Sequence, residues 1–467
     1  ITGTTYQPSE IVLQCKKVFK NIIAYDKFDF DGKKESMYAL RPAFDTVADM
    51  IGKGKKVPES LLEIFAQNPE YSAKLDSLIN AKDKVPFKIF DKKNAENLFG
   101  KNLNISASQL EKFNLCRFSY FCNYGLNVRE RQRAEINSMQ YGTIVHYILE
   151  RFFGEYTKEE YLSLEEDKFQ KIVCAYLAEY AVKYFGEEQL ESNSFTYRLK
   201  TILDNVMYLM KHIMEELSQS EFFVADCELK IGEDIPSYTI VLPDGHKIAV
   251  CGSVDRVDIM QRADITYLRI IDYKTGKKQF KLSDILYGIN LQMLLYLHSI
   301  EASGGDKYGE IVPAGILYMP ATVPYISSDS LKSIDKLPDE LNKELKMNGL
   351  LLKDTEIIHG MDKTDVATYI PVKIKAGEPV SSTSLATLAE FGKIFKKVDM
   401  LIAEMGKNIY NGNIEAKPLK GGHDSCEYCP YDSVCAYRQS NPITCFSVDN
   451  KTVIEEITNE INGKEEE

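Results

Sequence analysis

Gly252-Ser253-Val254-Asp255-Arg256-Val257-Asp258, followed shortly by Ile270-Ile271-Asp272-Tyr273-Lys274-Thr275-Gly276, reads as one strand bearing an acid and a second strand ending in Asp-x-Lys. Asp255 and Asp272 supply hard carboxylate oxygens suited to Mg²⁺ or Mn²⁺. Lys274 points to the same side of its strand as Asp272, because strand side chains alternate with period two. An ammonium in that position can orient an attacking water and stabilise charge developing on a phosphate. An isolated Asp-x-Lys is more often a solvated strand end. Here an apolar run, Leu268 to Ile271, leads into it, and residues 274–281 hold Lys274, Lys277, Lys278 and Lys281 without an acid. The pattern fits metal-assisted phosphodiester cleavage.

Working outward, strand-like runs occur at Phe223 to Ile231, Tyr238 to Leu242, His246 to Cys251, Val254 to Met260, Ile265 to Tyr273 and Ile311 to Met319. A Pro243-Asp244-Gly245 turn joins the second to the third. A helix is predicted from Ser283 to about Ala302, with Gln292 and Tyr296 one turn apart, and another from Leu385 to about Met405. Upstream, Ser106 or Ser108 is a candidate N-cap. A long amphipathic helix is predicted over Met139 to Phe153. Its Gly142, His146 and Glu150 share one face beside an apolar stripe of Ile144, Val145, Ile148, Leu149, Phe152 and Phe153. A lone His on such a helix is as readily structural as metal-binding, and periodicity leaves both readings open for His146. The order helix, meander, helix, strand describes an α/β core with carboxylates at strand ends.

A chain of 467 residues with 11% aromatics and no Trp can form two or three domains with proper cores. No run of apolar residues is long enough to span a bilayer and no signal peptide opens the sequence, so a soluble, cytoplasmic protein is expected. The start at Ile1-Thr2-Gly3 suggests a piece of something longer. The net charge of −12 argues mildly against a nucleic-acid binder. The distribution tempers this. Residues 446–467 carry seven acids and two bases and read as a partly disordered acidic tail, whereas 111–133 carry a net +3 through Lys112, Arg117, Arg129, Arg131 and Arg133. Residues 322–385 form a polar, turn-rich elaboration, and no P-loop is present.

Cys15, Cys174, Cys227 and Cys251 are scattered in apolar surroundings, as core thiols are. Cys426-Glu427-Tyr428-Cys429-Pro430, with Cys435 after five more residues, has metal-ligand spacing. The fourth ligand is open: Cys445 closes a local zinc-ribbon-like site, Cys116 makes a staple between distant parts of the chain, and His423 is a third candidate. Spacing alone mildly favours the local site.

These pieces in this order resemble the RecB-like branch of the PD-(D/E)XK nuclease superfamily, and within it the C-terminal region of the B subunits of bacterial AddAB helicase-nucleases. The words that carry the resemblance are Ser106-Ala107-Ser108-Gln109-Leu110-Glu111 with Cys116-Arg117-Phe118, Tyr124-Gly125-Leu126, Gly142-Thr143-Ile144-Val145-His146 with Leu149-Glu150, the Asp255 and Asp272-Tyr273-Lys274 motifs, Gly288-Ile289-Asn290-Leu291-Gln292 with Tyr296, Leu345-Lys346-Met347-Asn348-Gly349-Leu350, and the cysteine triplet. Arg117 replaces the family's usual Pro after the first cluster cysteine.

The resemblance implies a restriction-endonuclease-like α/β core, a central mixed sheet flanked by helices, over residues 101–445. A helical segment over 1–100, the end of a helicase-like region, precedes it, and the tail over 446–467 follows. It implies a metal held by His146, Asp255, Asp272 and the Tyr273 carbonyl, with Lys274 on the water. Gln292 and Tyr296 are expected on the substrate, with Glu228 as a further catalytic carboxylate. Cys116, Cys426, Cys429 and Cys435 are expected to hold a structural [4Fe-4S] cluster, leaving Cys122 and Cys445 as spectators. The expected partners are DNA ends with single-stranded tails and an A subunit (AddA) carrying the ATP-driven motor, with no membrane. The expected activity is cleavage of the 5′-terminated strand during double-strand-break processing, without ATP and without response to Chi in this piece. The rival readings are a CRISPR-associated four-cysteine exonuclease, disfavoured by size, a non-catalytic DNA-end-binding scaffold, and a zinc-stabilised interaction domain.

Overall fold

Runs rich in Val, Ile and Leu between turn signals build a mixed six-stranded sheet in a computed structural model. The structure describes residues 14–15, 17–19, 39–52, 55–80, 88–129, 138–185, 192–276, 278–323, 337–364, 366–381, 383–435, 437 and 442–465. The strands are β1 (Phe223–Ile231), β2 (Gly252–Arg262), β3 (Ile265–Lys274), β4 (Glu310–Pro320), β5 (Asn348–Leu352) and β6 (Leu385–Ala386), and they lie in the order β6-β5-β4-β3-β2-β1. The β1–β2, β2–β3 and β4–β5 pairs are antiparallel, and β3–β4 and β5–β6 are parallel. Arg256 pairs with Ile271, which brings Asp255 on β2 and Asp272 on β3 to the same end of the central pair.

The helices around the sheet are α1 (Ala107–Leu115), α2 (Ser138–Glu155), α3 (Glu166–Phe185), α4 (Asn193–Gln219), α5 (Gln292–Ser303), α6 (Leu388–Tyr410) and α7 (Asn450–Glu465). Ser106 caps α1 by accepting the Gln109 N–H at 3.4 Å. The apolar stripe of α2 (Ile144, Val145, Ile148, Leu149, Phe152) enters one core with Ile213 and Leu217 of α4 and with Ile270 and Ile271 of β3. Beneath the meander, Arg256 and Arg269 are fully buried and share Asp258 and the α4 residue Glu216 at 2.6–3.2 Å. Two positive and two negative side chains close this network to neutrality, so no unpaired charge is left within it.

Three expectations change. The helix predicted from Ser283 is broken: a 3₁₀ turn spans Leu282–Tyr287, and Gly288 (φ 69°) and Asn290 (φ 53°) turn left-handed before α5 begins at Gln292. Asn114 donates to the Gly288 carbonyl at 3.0 Å, and a Cβ on Gly288 would lie 2.2 Å from the Asn114 amide nitrogen. The supposed disordered tail contains α7. Its Val453 and Ile457 are fully buried, and Glu460 meets the buried Lys397 of α6 at 2.6 Å, which gives one of the acids its reason. Residues 322–385 supply β5 and begin the edge strand β6, although 324–336 lie outside the described residues. Arg131 and Arg133 of the basic segment lie outside them too.

The chain divides into two units, Ile1–Pro86 and Phe87–Glu467. In the first unit, helices Leu40–Gly52, Glu59–Ala66 and Ser72–Asn80 pack around Phe44, Val47, Phe65, Tyr71 and Leu75. The short helix Lys92–Phe99 belongs to the second unit, where Phe99 stacks on Tyr120 with ring centroids 5.8 Å apart. No helix among the described residues is long and apolar enough to cross a membrane.

Candidate active site

The face of α2 predicted to carry Gly142, His146 and Glu150 lines a cavity of about 1180 Å³, whose other walls include Glu228, Tyr273, Lys274 and Lys278. His146 Nδ1 lies 3.0 Å from Glu228 Oε1, and His146 Nε2 lies 3.6 Å from Asp255 Oδ2. One ligand atom from each of His146, Glu228 and Asp255 falls within 4.8 Å of the others. Glu228 takes a left-handed backbone (φ 50°) in the middle of β1, a conformation that costs a non-glycine residue energy. Its second oxygen accepts from Ser253 Oγ at 2.8 Å. The strained turn thus aims a carboxylate at the imidazole.

Asp255 Oδ2 accepts the Tyr273 backbone N–H at 3.0 Å. Asp272 is nearly buried: Oδ1 accepts from Gln292 Nε2 at 3.0 Å, and Oδ2 meets Lys274 Nζ at 2.5 Å. Burial and the neighbouring charge of Asp272 push the Asp255 carboxyl up to about 7. Burial alone would depress the His146 imidazole, but its bond to Glu228 and the charges of Asp255 and Glu228 outweigh that and raise it. The converse holds at Glu228, where burial favours the neutral form but the bonds from His146 and Ser253 keep the carboxyl below its ordinary range. Mutually repelling carboxylates and an imidazole with one nitrogen already oriented form a donor set that a divalent cation completes.

Of the predicted residues, the structure therefore brings together His146, Glu228, Asp255, Asp272, Tyr273, Lys274 and Gln292. Tyr296 stands apart. It is 5% exposed and its hydroxyl packs so closely on Gly252 that a Cβ there would lie 2.2 Å away. It supports β2 and is not open to a substrate. Two residues escaped the sequence reading. Glu111 accepts the Leu291 N–H at 2.7 Å and so anchors the start of α5, from which Gln292 reaches Asp272; burial raises its carboxyl. Asn348 donates to the Lys278 carbonyl and accepts the Phe280 N–H, both at 2.8 Å, holding the lysine loop beside the site. Both lie in words that carry the family resemblance, which assigned them no role.

The cysteines divide by place. Cys116, Cys122, Cys429 and Cys435 pack together with Phe118 and Tyr431. Burial and the nearness of Cys435 and Cys429 push the Cys116 thiol up, and Cys435 in turn feels Cys429 and Cys426. Cys445 belongs to a different cluster, with Ile289 and Leu419. His423 faces the cavity, 3.8 Å from Asp284.

Residues 104–436 match the model of the PD-(D/E)XK nuclease superfamily. Proteins named as the B subunits of ATP-dependent helicase/deoxyribonucleases are similar along nearly the whole chain. The one from Clostridium botulinum (Loch Maree) is 33% identical and that from Clostridium acetobutylicum 30%, each over 93% of this chain and 40% of its own length. The Clostridium kluyveri protein is 31% identical over 100% of this chain and 42% of its own. The chain thus spans about two fifths of the length of these relatives.

Proposed function

Because the chain belongs to the PD-(D/E)XK nuclease superfamily, we propose that it hydrolyses DNA phosphodiester bonds with the help of Mg²⁺ or Mn²⁺, as the nuclease region of the B component in a helicase-nuclease that processes double-strand breaks. The observation that carries this reading is the convergence of His146, Glu228 and Asp255 beside the Asp272–Lys274 pair. His146 through Nε2, Asp255, Asp272 and the Tyr273 carbonyl would hold the ion. A bound divalent ion there polarises the phosphate and makes a water nucleophilic at neutral pH. Glu228 orients His146 from behind, a carboxylate-imidazole relay that raises ligand basicity. Lys274, paired with Asp272, would hold the water and offer its ammonium to charge developing on the phosphate. Gln292 fixes Asp272 and reaches toward the DNA backbone, while Tyr296 supports β2 from below.

The names of the relatives support a second, partner polypeptide, which we take to be an A subunit carrying the motor, and we propose that this site cleaves the 5′-terminated strand. Cys116, Cys426, Cys429 and Cys435 would hold a structural [4Fe-4S] cluster. The packing of Cys116 against Cys429 and Cys435 supports the staple over a local site closed by Cys445.

The test is degradation of end-labelled single-stranded DNA in Mg²⁺, comparing wild type with Lys274→Ala, both prepared without air. Cleavage by wild type and a loss of at least about 100-fold in the variant are expected. Failure of both proteins to cut, with metal content intact, would favour a DNA-end-binding scaffold instead.

A further inference from the structure

The cavity lined by His146, Glu228, Tyr273 and Lys274 extends beyond them. At about 1180 Å³ it exceeds what a small molecule needs. One wall is aromatic. Tyr147, next to His146 on α2, has its ring centroid 5.2 Å from Tyr180 of α3, and Tyr180 lies 4.4 Å from Tyr184 one helical turn on, the last two rings inclined by 34°. Tyr147 and Tyr180 pack α2 on α3, and Tyr180 is buried. Tyr184 is not consumed by that packing: it lines the cavity and is 56% exposed, with the Lys183 ammonium 5.2 Å from its ring centroid. The cavity is also lined by Lys274, Lys278 and Lys281. Among the acids on the cavity wall, Glu228 is engaged by His146 and Ser253, and Asp284 by Asn290 at 2.5 Å, which leaves Glu150 facing Lys230.

A row of rings with ammonium groups in the same cavity is the arrangement that binds unpaired nucleotides, bases against π-faces and phosphates against cations. We propose that Tyr184, backed by Tyr180, is a base-stacking platform for single-stranded DNA, holding an unpaired nucleotide beside the strand about to be cut. The proposal rests on the nuclease reading for its substrate, and it adds the wall along which that substrate lies. Duplex DNA does not suit it, because its bases have no free faces to offer a lone ring.

The experiment is fluorescence anisotropy in EDTA, so that no strand is cut, with labelled oligothymidine and an abasic oligomer of the same length and charge. Wild type should bind oligothymidine the more tightly. Tyr184→Ala should lose roughly tenfold on oligothymidine and little on the abasic strand, and Tyr184→Trp should restore the preference. Unchanged melting of the variants shows that the fold is intact, as the exposure of Tyr184 leads one to expect. Equal binding of both oligomers by wild type, or oligothymidine binding by Tyr184→Ala equal to wild type, overturns the platform. Mg²⁺-dependent cleavage by the same wild-type preparation separates the two readings: cutting without a Tyr184 effect sinks only the platform, and Tyr184-dependent binding without cutting sinks only the nuclease.

Discussion

At Asp255, burial and the charge of Asp272 hold the carboxyl up at about 7, far above the 3.8 of a free aspartate. Such a site is organised around a cation at the expense of the metal-free fold. A carboxyl raised in the folded state binds its proton there and not in the unfolded chain between these two values. Its contribution to stability is therefore full below about 3.8 and is lost as pH rises through about 7. Replacing Asp255 by Asn removes the repulsion and keeps the shape. In EDTA at pH 8, Asp255→Asn should be more stable than wild type by on the order of 2 kcal/mol while cutting no DNA. Denaturant melts of both proteins check this, and equal or lower stability of the variant would remove Asp255 from the repelling cluster. The same side chain was legible in the sequence as a candidate metal ligand. Glu228 was legible only as a possible further carboxylate, because its aim at His146 depends on a left-handed turn inside β1 that no sequence period announces.

Helix α5 acts at both ends: its first residue, Gln292, reaches Asp272, and His298 farther along is 3.0 Å from Asp399 of α6. Burial would lower the His298 imidazole, but its bonds to Asp399 and Glu301 prevail and raise it to about 9. The shift is upward, so the stabilisation is complete below about 6.5 and fades as pH rises through about 9. Solvent reaches both acids, so its size is on the order of 1–2 kcal/mol. The melting midpoint should fall between pH 6.5 and 9, and His298→Gln should flatten that part of the profile; a variant with the wild-type slope would assign it to other groups. Strand runs were readable at this scale because hydrophobic runs decide them, and each expected strand is found within about two residues of its expected bounds. The break before α5 was not. Gly288 and Asn290 permit a turn, but Asn114, far upstream, holds it. Likewise, Arg256 and Arg269 stood in plain sight on the expected strands, yet their shared partner Glu216 comes from α4, and only the fold joins them.

Over the whole nuclease unit, a long reach in sequence runs from Cys116, just after α1, to Cys429 and Cys435 near the C-terminus, which pack together around Tyr431. Tyr431 adds to this join by donating to the Val128 carbonyl at 2.7 Å. A metal cluster across such a span restricts the unfolded chain much as a long-loop disulfide does, for which the gain is several kcal/mol. The acidic α7 lies on α6 through Val453, Ile457 and the Lys397–Glu460 pair, so its fold does not require the cysteines. Protein purified without air should be brown. Cys116→Ala should lose the colour and most of the iron and unfold at lower denaturant, whereas Cys445→Ala, whose thiol sits with Ile289 and Leu419, should keep both colour and iron. The reverse pattern would make the centre local to the C-terminal segment. Cys122 sharpens the test because it packs in the same cluster: if Cys122→Ser, and not Cys426→Ser, bleaches the protein, the fourth ligand comes from the first cysteine pair and the staple is doubled at its upstream end.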